Sequence, residues 1–275
     1  MTGPTAAGPG GRVTVATEGA VATITLSHPR RRNAMTEQMW LSLVPVTAAL
    51  AEDPAVRVVV VRGAGEDFSA GADLTDLENI LRDEDTGRHD GGALAKGEAA
   101  LAGLHKPTIA AVDGYCLGGA WQIAAACDLR IASARSTFGI TPAKIGIVYP
   151  VAGIERLVRL AGPAVAKYLL FTGDFVDAEQ ARAMGLVHAV HPTEDFWDRA
   201  DALARRVASR SQLSVQAMKE IVDRASAGGA GLEEASARWQ RQMLAAGDAR
   251  TGVAAFLAHR EPEFTWNGGP GASHA

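Results

Sequence analysis

At 275 residues, with 47% hydrophobic and 21% charged side chains, the chain is long enough for one large domain with a full core, needing no disulfide or metal staple. A net charge of −4 excludes the basic footprint of a nucleic-acid binder, and two cysteines, Cys116 and Cys127, exclude a disulfide framework and point to a reducing compartment. No apolar run approaches a membrane span and the start resembles no signal peptide, so a cytoplasmic protein is expected.

Residues 1–12 are rich in Gly and Pro and are expected to form a disordered tail. Residues 13–17 and 21–26 alternate with a period of two around Glu18-Gly19, which predicts a hairpin. Thr36 is placed to cap a helix running to about residue 52, with Pro45 expected to kink or break it. The β-branched run 58–61 lies within a predicted strand over 56–62, covered on both faces. A loop over 63–68 leads to Ser69-Ala70-Gly71-Ala72-Asp73-Leu74, where Asp73 is placed to cap a short helix over 74–81. The polar stretch 83–92 reads as a mobile loop, and 93–104 as a helix stopped by Lys106-Pro107.

The stretch 108–150 is the centre of the chain. It opens with a buried strand over 108–112, turns at Asp113-Gly114 and enters a buried helix over 120–127 through Gly118-Gly119. A strand over 128–132 follows, then helices over about 151–161 and 163–171. Asp177 and Gln180 make a capping box, Gly185 fits the position after that helix, and 186–190 is a last short strand. From residue 193 the pattern is helical, broken at 226–231. The expected organisation is a tail over 1–12, a mixed α/β core over 13–192, a helical region over 193–266 and a tail over 267–275.

The chain has no P-loop, no G-x-S-x-G elbow, no H-E-x-x-H and no G-x-G-x-x-G. His188 and His191 lack further ligands and read as surface histidines, so no metal is expected. Arg30-Arg31-Arg32 reads first as a solvated turn and second as a clamp for ligand phosphates. Two glycine-bearing turns carry more chemistry. Gly71 precedes the Ala72 N–H and Gly118 precedes the Gly119 N–H at a helix start, where backbone donors are free to hold a developing negative charge. Paired, they would form a two-donor oxyanion hole.

These residues resemble a known family. FSAGADL (68–74) and DGYCLGGAWQIAAACDLRIAS (113–133) are similar to the two signature stretches of the enoyl-CoA hydratase/isomerase (crotonase) superfamily. RRRNAM, GLVHAV (185–190) and AFLAHREPEF (255–264) resemble its further markers. The resemblance covers about residues 13–265. It implies a crotonase-type spiral of ββα units with a C-terminal helical region that builds trimers, commonly paired into hexamers. It also implies an acyl-CoA substrate, coenzyme A being part of that substrate rather than a separate cofactor. The resemblance places the thioester oxyanion hole at the N–H groups of Ala72 and Gly119. It places the CoA side at Arg31, Arg32, Ala34, Ala70, Asp73 and Leu74, with His259 and Arg260 as basic residues near CoA phosphates.

The departures matter as much. The family's two catalytic glutamates match Gln122 and Ala143, neither of which transfers a proton at neutral pH. Acid–base help typically contributes ~10²–10⁴-fold, so water addition by the usual route is expected to be impaired. Decarboxylation of a malonyl-type thioester reaches the same enolate without a base. Residues 136–157 resemble the methylmalonyl-CoA decarboxylase branch, notably at Thr141-Pro142 and Tyr149. That branch carries a His at the Ala72 position and keeps a Glu at the Gln122 position. The resemblance implies that Thr141 and Tyr149 orient a carboxylate or deliver a proton. Three readings stand: a lyase or decarboxylase; a hydratase or isomerase with its acid–base group elsewhere, for example in the acidic loop 76–90; and a non-catalytic acyl-CoA binder.

Overall fold

The computed structural model describes residues 10–83, 86–266 and 268. The tails expected over 1–12 and 267–275 fall almost wholly outside these residues. A hairpin of β1 (Arg12–Glu18) and β2 (Val21–Ser27) opens the chain, followed by a 3₁₀ turn at Pro29–Arg31 and α1 (Glu37–Glu52). The Thr36 side chain accepts from Met39 N at the start of α1, as its position predicts. The helix does not break at Pro45. That residue lies on the exposed side, where water can meet the carbonyl left without a donor, while Trp40 and Leu43 bury the other face.

Next come β3 (Val58–Gly63), α2 (Leu77–Leu81) and α3 (Gly92–Ala102), then β4 (Thr108–Val112), β5 (Tyr115–Leu117) and α4 (Gly119–Ala126). The pattern repeats in β6 (Leu129–Ser133), β7 (Thr137–Gly139), a 3₁₀ turn at Pro142–Ile145 and α5 (Val151–Thr172). Then follow β8 (Phe175–Asp177), α6 (Ala178–Ala183) and β9 (Ala189–His191). The helical region contains α7 (Phe196–Ala208), α8 (Gln212–Ser226), α9 (Leu232–Ala246) and α10 (Asp248–Leu257). Gly162 breaks helical geometry inside α5, at the boundary predicted between two helices.

The strands lie in two sheets. The larger has the order β1-β2-β3-β4-β6-β9 and is parallel from β2 onward. The smaller has the order β5-β7-β8, and a bridge between Ser69 and Cys116 extends it. Each unit thus places one strand in the large sheet, turns sharply, places a short strand in the small sheet and returns by a helix. The segments β3–Ser69–α3, β4–β5–α4 and β6–β7–α5 are successive turns of this ββα spiral. Sequence patterning misses β5, β7 and β8 because three residues are too few to display a period.

Both faces of the large sheet are covered, which explains the unbroken apolar run of β3. Val59 and Val61 point to the main core with Trp40 and Phe68, whereas Val58 and Val60 point to α7, meeting Phe196, Ala200 and Ala204. Helix α7 therefore caps the sheet, while Leu213, Ala217, Trp239 and Trp266 form a separate cluster within the remaining helical region. The short helix expected over 74–81 begins only at Leu77, because the Asp73 carboxylate is bound to Thr75 and Arg31 instead of capping it. In the expected loop 83–92, Asp83 accepts from Thr86 N and pairs its own N–H with Arg88 O, forming a bonded turn.

Candidate active site

Two adjacent turns of the spiral leave equivalent positions side by side: Ala72 after the Ser69 bridge, and Gly119 after β5. A Cβ on Gly119 would lie 3.2 Å from Ala72 N, and a Cβ on Gly71 would lie 3.2 Å from Gly119 N. The two N–H groups therefore border one small space, and among the described residues neither donates to another group. Gly71 is required: its φ is +101°, and a Cβ there would meet Leu117 O at 2.5 Å. Gly119 is the first residue of α4, so its N–H is one the helix leaves unpaired, at the positive end of the dipole.

The Ala72 side is held by a second strip of backbone. Ala70 N donates to Arg32 O, Met35 N to Gly71 O, and Asp73 N to Met35 O. Buried Asn33 ties this strip down, donating to Ala64 O and Asp67 O at 2.8 and 2.7 Å while accepting from His28 N. Ser69 donates to Asn33 O at 2.7 Å and accepts from Gly71 N. Asn33 and Ser69 lie within RRRNAM and FSAGADL, where the sequence alone shows no role for them; their work is visible only once the two loops meet.

Ala34 is buried within this strip, and Leu74 is exposed beside it. Arg31 reaches Asp73 at 2.8 Å and Thr75 at 2.9 Å. Arg32 turns the other way, with its guanidinium 4.9 Å from the Tyr115 ring centroid. It lines a cleft of about 610 Å³ with Asn33, Tyr115 and Arg135. The arginine run is thus two separate contacts, not one clamp. Buried Asp73 is pushed up by burial, but Thr75 and Arg31 outweigh this and hold its carboxyl below the ordinary value. Arg260 is exposed, and no described bond joins it to the other residues expected on the CoA side. The segment after α10 is instead tied by Arg57, which donates to Phe264 O at 3.2 Å. Arg57 precedes β3, at the sheet end opposite the hole.

Gln122 sits one turn into α4, buried beside the Tyr149 hydroxyl, with neither amide atom in a well-formed hydrogen bond among the described residues. Gly153 of α5 packs against it: a Cβ there would lie 3.0 Å from Gln122 Cδ and 2.9 Å from Tyr149 Cε1. Buried Tyr149 donates its hydroxyl proton to Gly118 O at 2.9 Å, so it supports the peptide carrying the Gly119 N–H. Thr141 lies in the equivalent position of the third ββα turn, its Oγ1 4.0 Å from where Gly118 would carry a Cβ. Ala143 is exposed, and the stretch from β7 to Pro150 contains no carboxylate.

Of the acids expected in the 76–90 loop, Glu78 is engaged with His89 at 2.7 Å and Asp83 with Thr86, while Glu84 and Asp85 lie outside the described residues. An interior acid lies beyond them. Glu98 of α3 is 1% exposed and accepts from Arg156 at 3.0 Å, and its second oxygen lacks a partner. Its signal in the sequence is its place between Leu94 and Leu101 on the buried stripe of α3. Groups of His, Cys, Asp and Glu able to hold a metal are absent among the described residues, and no helix there is long and apolar enough to cross a membrane.

Comparison with known proteins points to one family. A model of the family described as enoyl-CoA hydratase/isomerase matches residues 16–267. A solved structure described as an enoyl-CoA hydratase/isomerase family member has a TM-score of 0.90 and 43% identity, covering 94% of this chain and 98% of that one. The crotonyl-CoA hydratase of Syntrophomonas wolfei is 33% identical over 256 residues, 90% of this chain and 95% of that protein. The short-chain-enoyl-CoA hydratase of Clostridium acetobutylicum is 35% identical over 208 residues, 75% and 79% of the two chains. With its sheet of parallel strands, its helical C-terminal region and its paired donors, the chain belongs to the enoyl-CoA hydratase/isomerase family.

Proposed function

We propose that the protein binds an acyl-CoA with the thioester oxygen on the N–H groups of Ala72 and Gly119 and passes through an enolate, with CO₂-releasing lyase chemistry ahead of water addition. The observation that carries this reading is the pair of free donors with an amide, Gln122, beside them where a carboxylate would drive hydration. Two preset donors lower the barrier to any step that places negative charge on the thioester oxygen, and each contributes about 3 kcal/mol. A substrate carboxylate meets no like charge from Gln122 and falls near the Thr141 hydroxyl. Arg31, beside Asp73 and Ala72, is the best-placed CoA-side cation, with Arg32 and Arg260 further from the hole.

A second reading is a hydratase or isomerase whose acid–base group lies elsewhere. Buried Glu98 favours it, as do the names of the relatives, which include hydratases of crotonyl-CoA and short-chain enoyl-CoA. Mass spectrometry of the purified protein with methylmalonyl-CoA, crotonyl-CoA and longer enoyl-CoAs separates the two. Loss of CO₂ from the malonyl-type thioester is the expected outcome. Rapid hydration of crotonyl-CoA without CO₂ loss would overturn it, and tight binding without any turnover would leave an acyl-CoA binder.

A further inference from the structure

Glu98, Gln122 and Trp40 are buried and hold polar atoms with no hydrogen bond among the described residues: Oε2, both amide atoms, and Nε1 respectively. They come from α3, α4 and α1, and their neighbours converge. A Cβ on Gly119 would lie 3.2 Å from Trp40 Cζ2 and 3.5 Å from Leu94 Cδ1, and Leu94 is one turn before Glu98 on α3. On α5, Gly153 abuts Gln122 and Tyr149, and Arg156 one turn later holds Oε1 of Glu98. Oε2 of Glu98 is left free in the same interior.

A carboxylate in that position is expensive to keep charged. Burial pushes the Glu98 carboxyl up, and the opposing Arg156 and Arg159 of α5 do not cancel the effect. The Tyr149 hydroxyl is raised by its own burial and then by Glu98, which places the two groups in each other's field. Trp40 and Gln122, facing from α1 and α4, are neutral. Glu98 therefore keeps a proton at higher pH than an ordinary glutamate, the condition for a general acid.

We propose that Glu98 is the proton source of this site: its free oxygen, through one water held by the Gln122 amide, exchanges a proton with the α-carbon of the bound acyl-CoA. The polar partners a buried water needs are all present in these side chains. The proposal rests on the enolate reading above. When the bond to a departing CO₂ breaks, its electron pair enters the enolate held by Ala72 and Gly119. The α-carbon then takes the proton, the thioester carbonyl re-forms, and the Glu98 carboxylate regains a proton from solvent. In the opposite direction Glu98 receives the α-proton and the enolate stays on the two N–H groups.

Deuterium incorporation at C2 of butyryl-CoA in D₂O, read by mass spectrometry, tests this. Wild-type protein is expected to exchange. Glu98→Gln, which keeps the length and the contact to Arg156, is expected to lower exchange by about 10²-fold or more. Its affinity for butyryl-CoA should stay within about twofold. Glu98→Asp restores a titratable group one methylene short. It should recover part of the rate, with a pH profile displaced from that of wild type, an effect a merely structural Glu98 would not produce. Should Glu98→Gln fail to fold, Glu98→Asp decides alone: an unchanged rate and pH profile overturn the assignment. Exchange in both variants at the wild-type rate overturns the role of Glu98 and leaves the enolate reading intact. Wild-type protein that binds butyryl-CoA but exchanges nothing overturns the enolate reading and this proposal together.

Discussion

Single residues set what the hole can do. Gly119 is the first residue of α4, a position where proline is tolerated because the N–H has no helical partner. Gly119→Pro therefore keeps the helix start and loses one donor, while its Cβ, 3.2 Å from Ala72 N and Trp40 Cζ2, also narrows the space between the donors. Turnover is expected to fall about 10²–10³-fold, as for loss of one oxyanion donor, measured on whichever thioester the wild type converts. An unchanged rate would refute the assigned hole. Glu98 makes a prediction about stability as well. Its folded-state carboxyl lies above the ordinary 4.5. The fold thus favours the protonated form, and the stability this contributes is full below that value and lost as pH rises through the raised one. Glu98→Gln does not titrate. Its urea midpoint should gain on wild type as pH rises above the ordinary 4.5 through the raised value, and a constant difference would contradict the raised value.

Among the elements, the strip from His28 to Met35 decides whether the Ala72 N–H is presented at all. Asn33 is the tie, meeting one donor and two carbonyls with one side chain. Asn33→Ala leaves these groups unpaired and should cost about 1–3 kcal/mol in denaturant unfolding. Turnover should fall further than affinity, because the displaced donor acts on the developing charge more than on the bound thioester. At the C-terminal end of β4, Asp113 does comparable work: Arg135 bonds both its oxygens at 2.7 Å, and Ser133 bonds one of them. These contacts hold the turn between β4 and β5, and through it the start of α4, against the loop at Glu66.

For the whole molecule, the helical region leaves apolar side chains outside. Phe256 and Leu257 of α10 are 80% and 73% exposed, and Leu244 of α9 is 77% exposed. A surface of this kind is expected to be covered by further copies of the chain. Light scattering should report a trimer or a pair of trimers, and Phe256→Glu should shift the mass downward; a wild-type monomer would contradict this assembly.

What the sequence determined by itself is local chemistry. The unbroken valines of β3, the Thr36 cap, the Asp177 capping box and the glycines at 71, 118 and 119 are each legible because their cause lies within a few residues. The hydrophobic period, the cap and the left-handed backbone are short-range properties. Pairing was decided only by the tertiary structure. The spiral sets Ala72 beside Gly119, parts Arg31 from Arg32 and leaves Arg260 unjoined to either. It also buries Glu98, whose place between Leu94 and Leu101 on one stripe of α3 is its sole hint in the one-dimensional pattern. Its environment is made by α4 and α5, elements distant in sequence, and burial is the property that turns a surface glutamate into a proton donor.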